Sequence, residues 1–327
     1  MQNFDYTKAT TLEAAVAAIG PGGDRVSLIA GGTDLLPLMK DEIVTPRALV
    51  DITGLADLNY IEERDGTLRL GALSTLSDIA AHPVVAARYP ALAEACALAA
   101  TPQLRNMSTI GGNLLQQPRC WYYRGEHNCW LKGGEVCFAR NGENEHHAIF
   151  LNAPSQSRCV SVHPSDPAVA LLLFEALVRV QTASGETEVP LREVYSVPTP
   201  ERRNGVSIPH DAVITEIVLP PLSGGRSVYL KAMPRASWAF ALVSVGLYLR
   251  VDGGRIEVAR LAVGGVAPVP LRFEDVEAQM VGQGVSRLDA DGLADILVAG
   301  ATPLSQNGYK VPLLRGLFKQ ALSQATS

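Results

Sequence analysis

The stretch Leu28-Ile29-Ala30-Gly31-Gly32-Thr33-Asp34-Leu35 changes character in the middle. An apolar run that reads as a short buried strand meets two glycines, and a Thr-Asp pair then opens a new apolar segment that reads as a helix. Glycine lets a backbone come close to a ligand, and the N–H groups exposed at such a loop and helix start favour an anion such as a pyrophosphate. The Thr33 hydroxyl is a further donor. An ordinary strand-turn-helix connection, capped by Thr33 or Asp34, accounts for this segment equally well.

A second segment repeats the logic. Ser108-Thr109-Ile110-Gly111-Gly112-Asn113-Leu114 again sets hydroxyls and an amide around two glycines. Neither loop has the spacing of a G-x-G-x-x-G or Walker A motif, which disfavours a Rossmann or P-loop nucleotide site. A third segment, Ser161-Val162-His163-Pro164-Ser165-Asp166-Pro167, offers Asp166 as an exposed carboxylate for sugar hydroxyls or as the cap of the helix that follows.

Working outward, residues 11–20 predict a helix capped by Thr11 and ended by Gly20. Strands follow at 26–30 and 48–52, with a helix between them from Asp34 to Lys40. This makes an αβαβ unit of residues 1–55. Further on, 68–72 and 177–182 read as strands, and 76–81, 91–100 and 168–175 as helices. The Pro/Gly cluster Leu219–Gly225 reads as a linker. Beyond it come strands near 227–232, 242–251 and 256–263, with a hairpin turn at Asp252-Gly253-Gly254. Helices near 289–300 and 309–326 close the chain. The fold class is α+β.

The chain has 327 residues, 47% hydrophobic and 19% charged, with a net charge of −5. That is a globular composition, and the acidic balance argues against nucleic acid as a partner. No apolar run approaches the ~20 residues that span a bilayer, so no membrane insertion is expected. The N-terminus shows no export signal. Cytoplasm remains open, as does periplasm by transport on a partner's twin-arginine signal.

Five cysteines are distributed unevenly. Cys96 lies on a predicted helix and reads as a small buried apolar residue. Cys120, Cys129, Cys137 and Cys159 cluster, with eight, seven and twenty-one residues between them. Four thiols suit tetrahedral zinc or an iron–sulfur cluster. There is no C-x-x-C and no common ferredoxin spacing, so spacing leaves both metals open, along with cysteines that simply pack. His127, His146, His147 and His163 are substitute ligands, most of them expected at the surface.

In order and context the three loop segments resemble the FAD-binding subunit of the xanthine dehydrogenase and aldehyde oxidase family, the molybdenum hydroxylases. The resemblance covers the whole chain. It implies a two-part FAD-binding domain of the PCMH/VAO type, followed by a C-terminal α+β domain of antiparallel strands and helices. The expected limits are 1–55 and 56–222 for the two FAD-binding subdomains, with a Cys-rich insertion at 116–160, and 223–327 for the last domain. The residues it assigns to FAD are Ala30, Gly31, Gly32, Thr33, Asp34, Leu35, Ser108, Thr109, Gly111, Gly112, Asn113, Asp166 and Lys231. Lys231 and Trp238 open the C-terminal domain, which in the family covers the flavin edge.

The run Pro118-Arg119-Cys120-Trp121-Tyr122-Tyr123, followed by Cys129 and Cys137, resembles the insertion that carries a [4Fe–4S] cluster in two branches of that family. One branch comprises periplasmic three-subunit aldehyde oxidoreductases and the other 4-hydroxybenzoyl-CoA reductases. Ser237-Trp238-Ala239-Phe240-Ala241-Leu242 leans toward the first. The implied partners are a large molybdenum-cofactor subunit and a small subunit with two [2Fe–2S] clusters. The substrate site is then on another chain, and no catalytic residue is expected here. A reductase or purine-type hydroxylase subunit, or a stand-alone flavoprotein oxidase with a structural zinc loop, are the alternatives.

Overall fold

The computed structural model describes residues 1–20, 25–151 and 157–327. Part of the expected insertion, residues 152–156, therefore lies outside the described residues.

Three sheets organise the chain. The first is parallel, in the order β1-β3-β2, from β1 (Asp5–Lys8), β2 (Val26–Ile29) and β3 (Ala48–Asp51). Parallel neighbours need crossovers, and two helices supply them. Leu12–Ile19 is capped by Thr11, whose hydroxyl accepts from the Ala14 N–H, and Gly20 ends it in a left-handed turn. Leu35–Lys40 is the second crossover, so the first glycine loop sits just past the C-terminal end of β2. In parallel sheets that end is where ligands bind.

The second sheet is antiparallel, ordered β4-β5-β8-β6-β7, from β4 (Ile61–Arg64), β5 (Thr67–Gly71), β6 (Leu177–Thr182), β7 (Gly185–Pro190) and β8 (Val213–Leu219). The helices Leu76–Ala81, Pro90–Leu98 and Asp166–Leu172 cover it, and the core of Leu68, Leu70, Ile79, Leu92, Phe174 and Ile217 is fully buried. Cys96 belongs to this core, and burial pushes its thiol pKa up, in line with an inert packing residue.

The third sheet, β12-β11-β10-β9, comprises β9 (Arg226–Ala232), β10 (Val243–Asp252), β11 (Arg255–Gly264) and the short β12 (Leu271–Arg272), again antiparallel. The helices Glu274–Met280, Ala290–Val298 and Lys310–Thr326 pack on it through Val276, Leu297, Leu314 and Phe318. No helix among the described residues is long and apolar enough to cross a membrane.

The structure departs from the sequence-based expectation in five strands: β7, with Glu186, Thr187 and Glu188 exposed, the two-residue β12, and the following three. β1 completes the first unit, making it βαβαβ rather than αβαβ; its four residues are all exposed, so no apolar alternation announced it. β4 was unread for a similar reason, with Glu62, Glu63 and Arg64 exposed. β8 is buried along its whole length, and such a strand shows no alternation either. Leu219, expected in a linker, is its last residue.

Candidate functional site

The two glycine loops meet. A Cβ built on Gly31 would run into the backbone carbonyl of Met107, one residue before the second loop. Glycine is therefore required at 31 so that one loop can approach the other. Gly32 holds a left-handed φ of 67°, which a side chain would strain. The Thr33 and Ser108 hydroxyls share a hydrogen bond of 2.9 Å that ties the loops together. Gly111 lies against Ala72, while Gly112 is open to solvent. Thr109 caps the turn Ile110–Leu114 by accepting from the Gly112 N–H at 3.3 Å. The Asn113 carboxamide oxygen accepts from the Ser165 hydroxyl at 2.6 Å, which draws the third segment onto the second. Ala30 and Leu35 flank the first loop as half-buried packing residues.

Two carboxylates assigned to FAD by resemblance have other partners. Asp166 was expected to be exposed and is 5% exposed. It accepts from the Tyr229 hydroxyl at 2.6 Å and pairs with Lys231 Nζ at 2.7 Å, and Lys231 also donates to the Leu98 carbonyl at 3.0 Å. Burial raises the Asp166 pKa and the Lys231 charge opposes that rise. The carboxylate thus faces β9 of the third sheet, and it is not the helix cap either; Ser165 is, accepting from the Ala168 N–H. Asp34 forms no cap bond to its own helix. Its carboxylate is held by Arg119 at 2.7 Å, Arg124 at 2.8 Å and the Gln117 N–H at 2.8 Å.

Trp238 does not pack. It is 61% exposed at a left-handed φ of 50°, beneath the guanidinium of Arg235, which also donates to its carbonyl. Nearby, the exposed Phe240 ring lies 4.9 Å from the Arg119 guanidinium.

The insertion has little regular structure among its described residues: the turn Trp121–Arg124 and the single 3-10 turns Trp130–Lys132 and Phe138–Arg140. Even so, Cys120, Cys129, Cys137 and Cys159 line one pocket, with Tyr122, Trp130 and His147. Burial pushes the Cys120 thiol up to about 11 and Cys159 up to about 12, with the neighbouring thiols adding to both. Such thiols stay protonated at neutral pH unless a cation shares their pocket. All five cysteines are free of disulfides. Among the described residues no three His, Cys, Asp or Glu side chains are grouped closely enough to hold a single metal ion.

His147 corrects another expectation. It is 2% exposed rather than at the surface, and its Nε2 lies 3.2 Å from Cys120 Sγ. Burial pulls its pKa down to about 4, so the ring is neutral. His163 is also drawn inward, against Tyr195, whereas His127 and His146 are exposed.

Residues that local reading passed over hold the insertion in place. Arg203 lies over the Trp130 ring and donates to the carbonyls of Trp130 and Gly134. Asn307 donates to the carbonyls of His147 and Ala148 at 3.1 and 3.0 Å. Lys310, fully buried, donates to those of His146 and Gly265. Asn144 donates to Ser305 and exchanges bonds with Gln306. Arg203, Asn144 and Asn307 stand among polar neighbours and carry no local signal; Lys310, before Val311-Pro312-Leu313-Leu314, is the one set against an apolar run.

A parallel unit with a glycine loop at its C-terminal end, a second diglycine loop docked onto it, and an antiparallel C-terminal domain define a class. The family described as the FAD binding domain in molybdopterin dehydrogenase matches residues 2–222, and the CO dehydrogenase flavoprotein C-terminal domain matches 228–325. The chain belongs to the FAD-binding subunits of the molybdenum hydroxylase family.

Among named relatives, it is 38% identical to the aldehyde oxidoreductase FAD-binding subunit PaoB of Escherichia coli K12, over 99% of both chains. It is 28% identical to the glyceraldehyde dehydrogenase medium chain of Sulfolobus acidocaldarius, over 90% of this chain and 85% of that one. The solved carbon monoxide dehydrogenase of Hydrogenophaga pseudoflava superposes with a TM-score of 0.78 at 26% identity, covering 99% of this chain and 97% of that one. The protein is thus a flavoprotein and an oxidoreductase subunit.

Proposed function

We propose that this chain is the electron-transfer subunit of a heterotrimeric molybdenum hydroxylase that oxidises aldehydes to carboxylic acids, and that it holds both FAD and a [4Fe–4S] cluster. A large partner carries the molybdenum cofactor and the substrate, and a small partner carries two [2Fe–2S] clusters. The compartment is the periplasm, reached on a partner's signal, or the cytoplasm. The aldehyde assignment draws on the two relatives named for aldehyde chemistry, and it ranks above the 4-hydroxybenzoyl-CoA reductase and xanthine dehydrogenase readings on that ground.

The observation that supports the cluster is that Cys120, Cys129, Cys137 and Cys159 all line one pocket. In a [4Fe–4S] cluster each thiolate takes its own iron, so the four sulfurs stand further apart than around one zinc. A structural zinc loop fits less well. For FAD, the diphosphate surface is the joined face of Gly31, Gly32 and Thr33 with Ser108, Thr109, Gly111 and Gly112. Asp34 and Asp166 serve it through position, since their carboxylates are engaged elsewhere.

When bound, FAD links one-electron carriers to an acceptor that takes a pair of electrons. The chain's own residues hold that group, exclude water and set its distance from the cysteine pocket.

The test is the purified complex. Absorbance bands of flavin with an iron–sulfur shoulder that dithionite bleaches, and about eight irons per FAD, four from this chain and four from the small subunit, are expected. In Cys137→Ser the iron should fall to about four per FAD, and the shoulder should weaken, while FAD stays. Zinc in place of iron would refute the cluster, and a chain that purifies without larger and smaller subunits would refute the heterotrimer.

A further inference from the structure

Asp34 stands at the foot of the first glycine loop with its side chain turned away from the helix it opens. Its Oδ1 accepts from Arg124 Nη2 and is ion-paired with Arg119 Nη2, and its Oδ2 accepts from the Gln117 N–H. These donors flank Cys120 on both sides. Arg124 folds the same peptide back on itself, donating from Nε to the Pro118 carbonyl at 2.9 Å and from Nη2 to that of Gln117 at 3.0 Å. Packing repeats the connection. Leu38, one turn along from Asp34, packs against Tyr123 and Cys129. One short helix therefore has the glycine loop at its start and the cysteine pocket along its flank.

Charge makes the link sensitive. Two guanidiniums share one carboxylate, and both are mostly buried, with side chains 28% and 16% exposed. Without the carboxylate, two arginines would face each other in space with little water, and the peptide between them would lose its tie to the first glycine loop.

We propose that Asp34 is a positioning residue that registers the Cys120 segment against the flavin loop. The place of the first cysteine is then set from the FAD side of the molecule rather than by the insertion itself. This rests on the cluster reading above. Electron exchange between two bound groups depends on their separation. A cysteine on a loop fastened only to itself would leave that separation loose; fastened at Asp34, it is fixed to the residue that follows Gly31-Gly32-Thr33.

The test compares Asp34→Ala and Asp34→Asn with wild type in the intact complex. The readouts are FAD content, iron content, the rate of iron release to a chelator, the EPR spectrum of the dithionite-reduced protein and the melting temperature. Asp34→Asn keeps the shape and an acceptor for the Gln117 N–H but removes the charge. Iron release should be several-fold faster in Asp34→Ala, and less so in Asp34→Asn, with an altered EPR line shape. FAD content should fall less than iron in both.

Wild-type iron release and EPR in both variants would overturn the proposal. So would a loss of FAD in step with iron, because Asp34 would then serve the flavin loop directly. If wild type holds only the roughly four irons per FAD of the small subunit's two clusters, the cluster reading fails by itself. Positioning is then read from the alkylation rate of Cys120, where acceleration in Asp34→Ala supports the role of Asp34 and an unchanged rate refutes it.

Discussion

The glycine loops and the cysteine insertion lie side by side, yet they are held in opposite ways. At the loops, backbone conformation does much of the work: a strand ends, a glycine takes a left-handed φ, Thr109 caps its own turn, and Gly31 lets one loop close on the other. In the insertion, three short turns contribute few backbone bonds, and the segment is gripped by Asp34 from the first sheet, by Arg203, and by Asn307 and Lys310 beside the third sheet. Close approach is built locally where a backbone must meet a ligand. Where four side chains from an irregular peptide must converge, the surrounding fold supplies the constraint.

The contrast can be broken most forcefully at Gly31. Gly31→Ala should force the loops apart, destabilise the chain by on the order of 3 kcal/mol and release FAD, seen in a melt and a flavin-to-protein ratio. A variant with normal FAD and melting would mean that the loops do not need each other.

Asn307→Leu should act on the other side of the comparison. It strips donors from two buried carbonyls, a loss of roughly 2 kcal/mol. Iron should fall and FAD should persist. Equal loss of both would erase the distinction between the two regions.

A third test reads pH dependence. Burial pulls the Lys310 pKa down to about 7 from its ordinary 10.5. Between those values the unfolded chain holds a proton that the folded one lacks, so this group makes stability rise with pH across that window, by up to ~1.4 kcal/mol per unit. Denaturant melts of wild type and Lys310→Met between pH 7 and 10 should show a shallower rise in the variant. Parallel curves would remove Lys310 as a charged tie between the insertion and Gly265.

The sequence made the glycine loops, the Thr11 cap, the Asp252–Gly254 turn and the cluster of four cysteines legible, because each is a local signature. It did not disclose where Asp34 and Asp166 point. Their partners, Arg124 and Lys231, are 90 and 65 residues away, and a carboxylate beside a glycine loop reads the same whether it meets a ligand or an arginine. β1 and β4 escaped because exposed strands lack apolar alternation, and β8 because a wholly buried one lacks it too. His147 was misread because nothing in Glu145-His146-His147 tells which histidine turns inward.

The Asp166–Lys231 pair has a mechanical meaning. It joins the helix behind the second glycine loop to β9, and parting it would strand a charge in the interior at about 3–5 kcal/mol. A chain latched in this way resists hinge motion between its FAD-binding part and its C-terminal part. For a flavoprotein that is an advantage, because a fixed frame keeps the bound flavin in one setting.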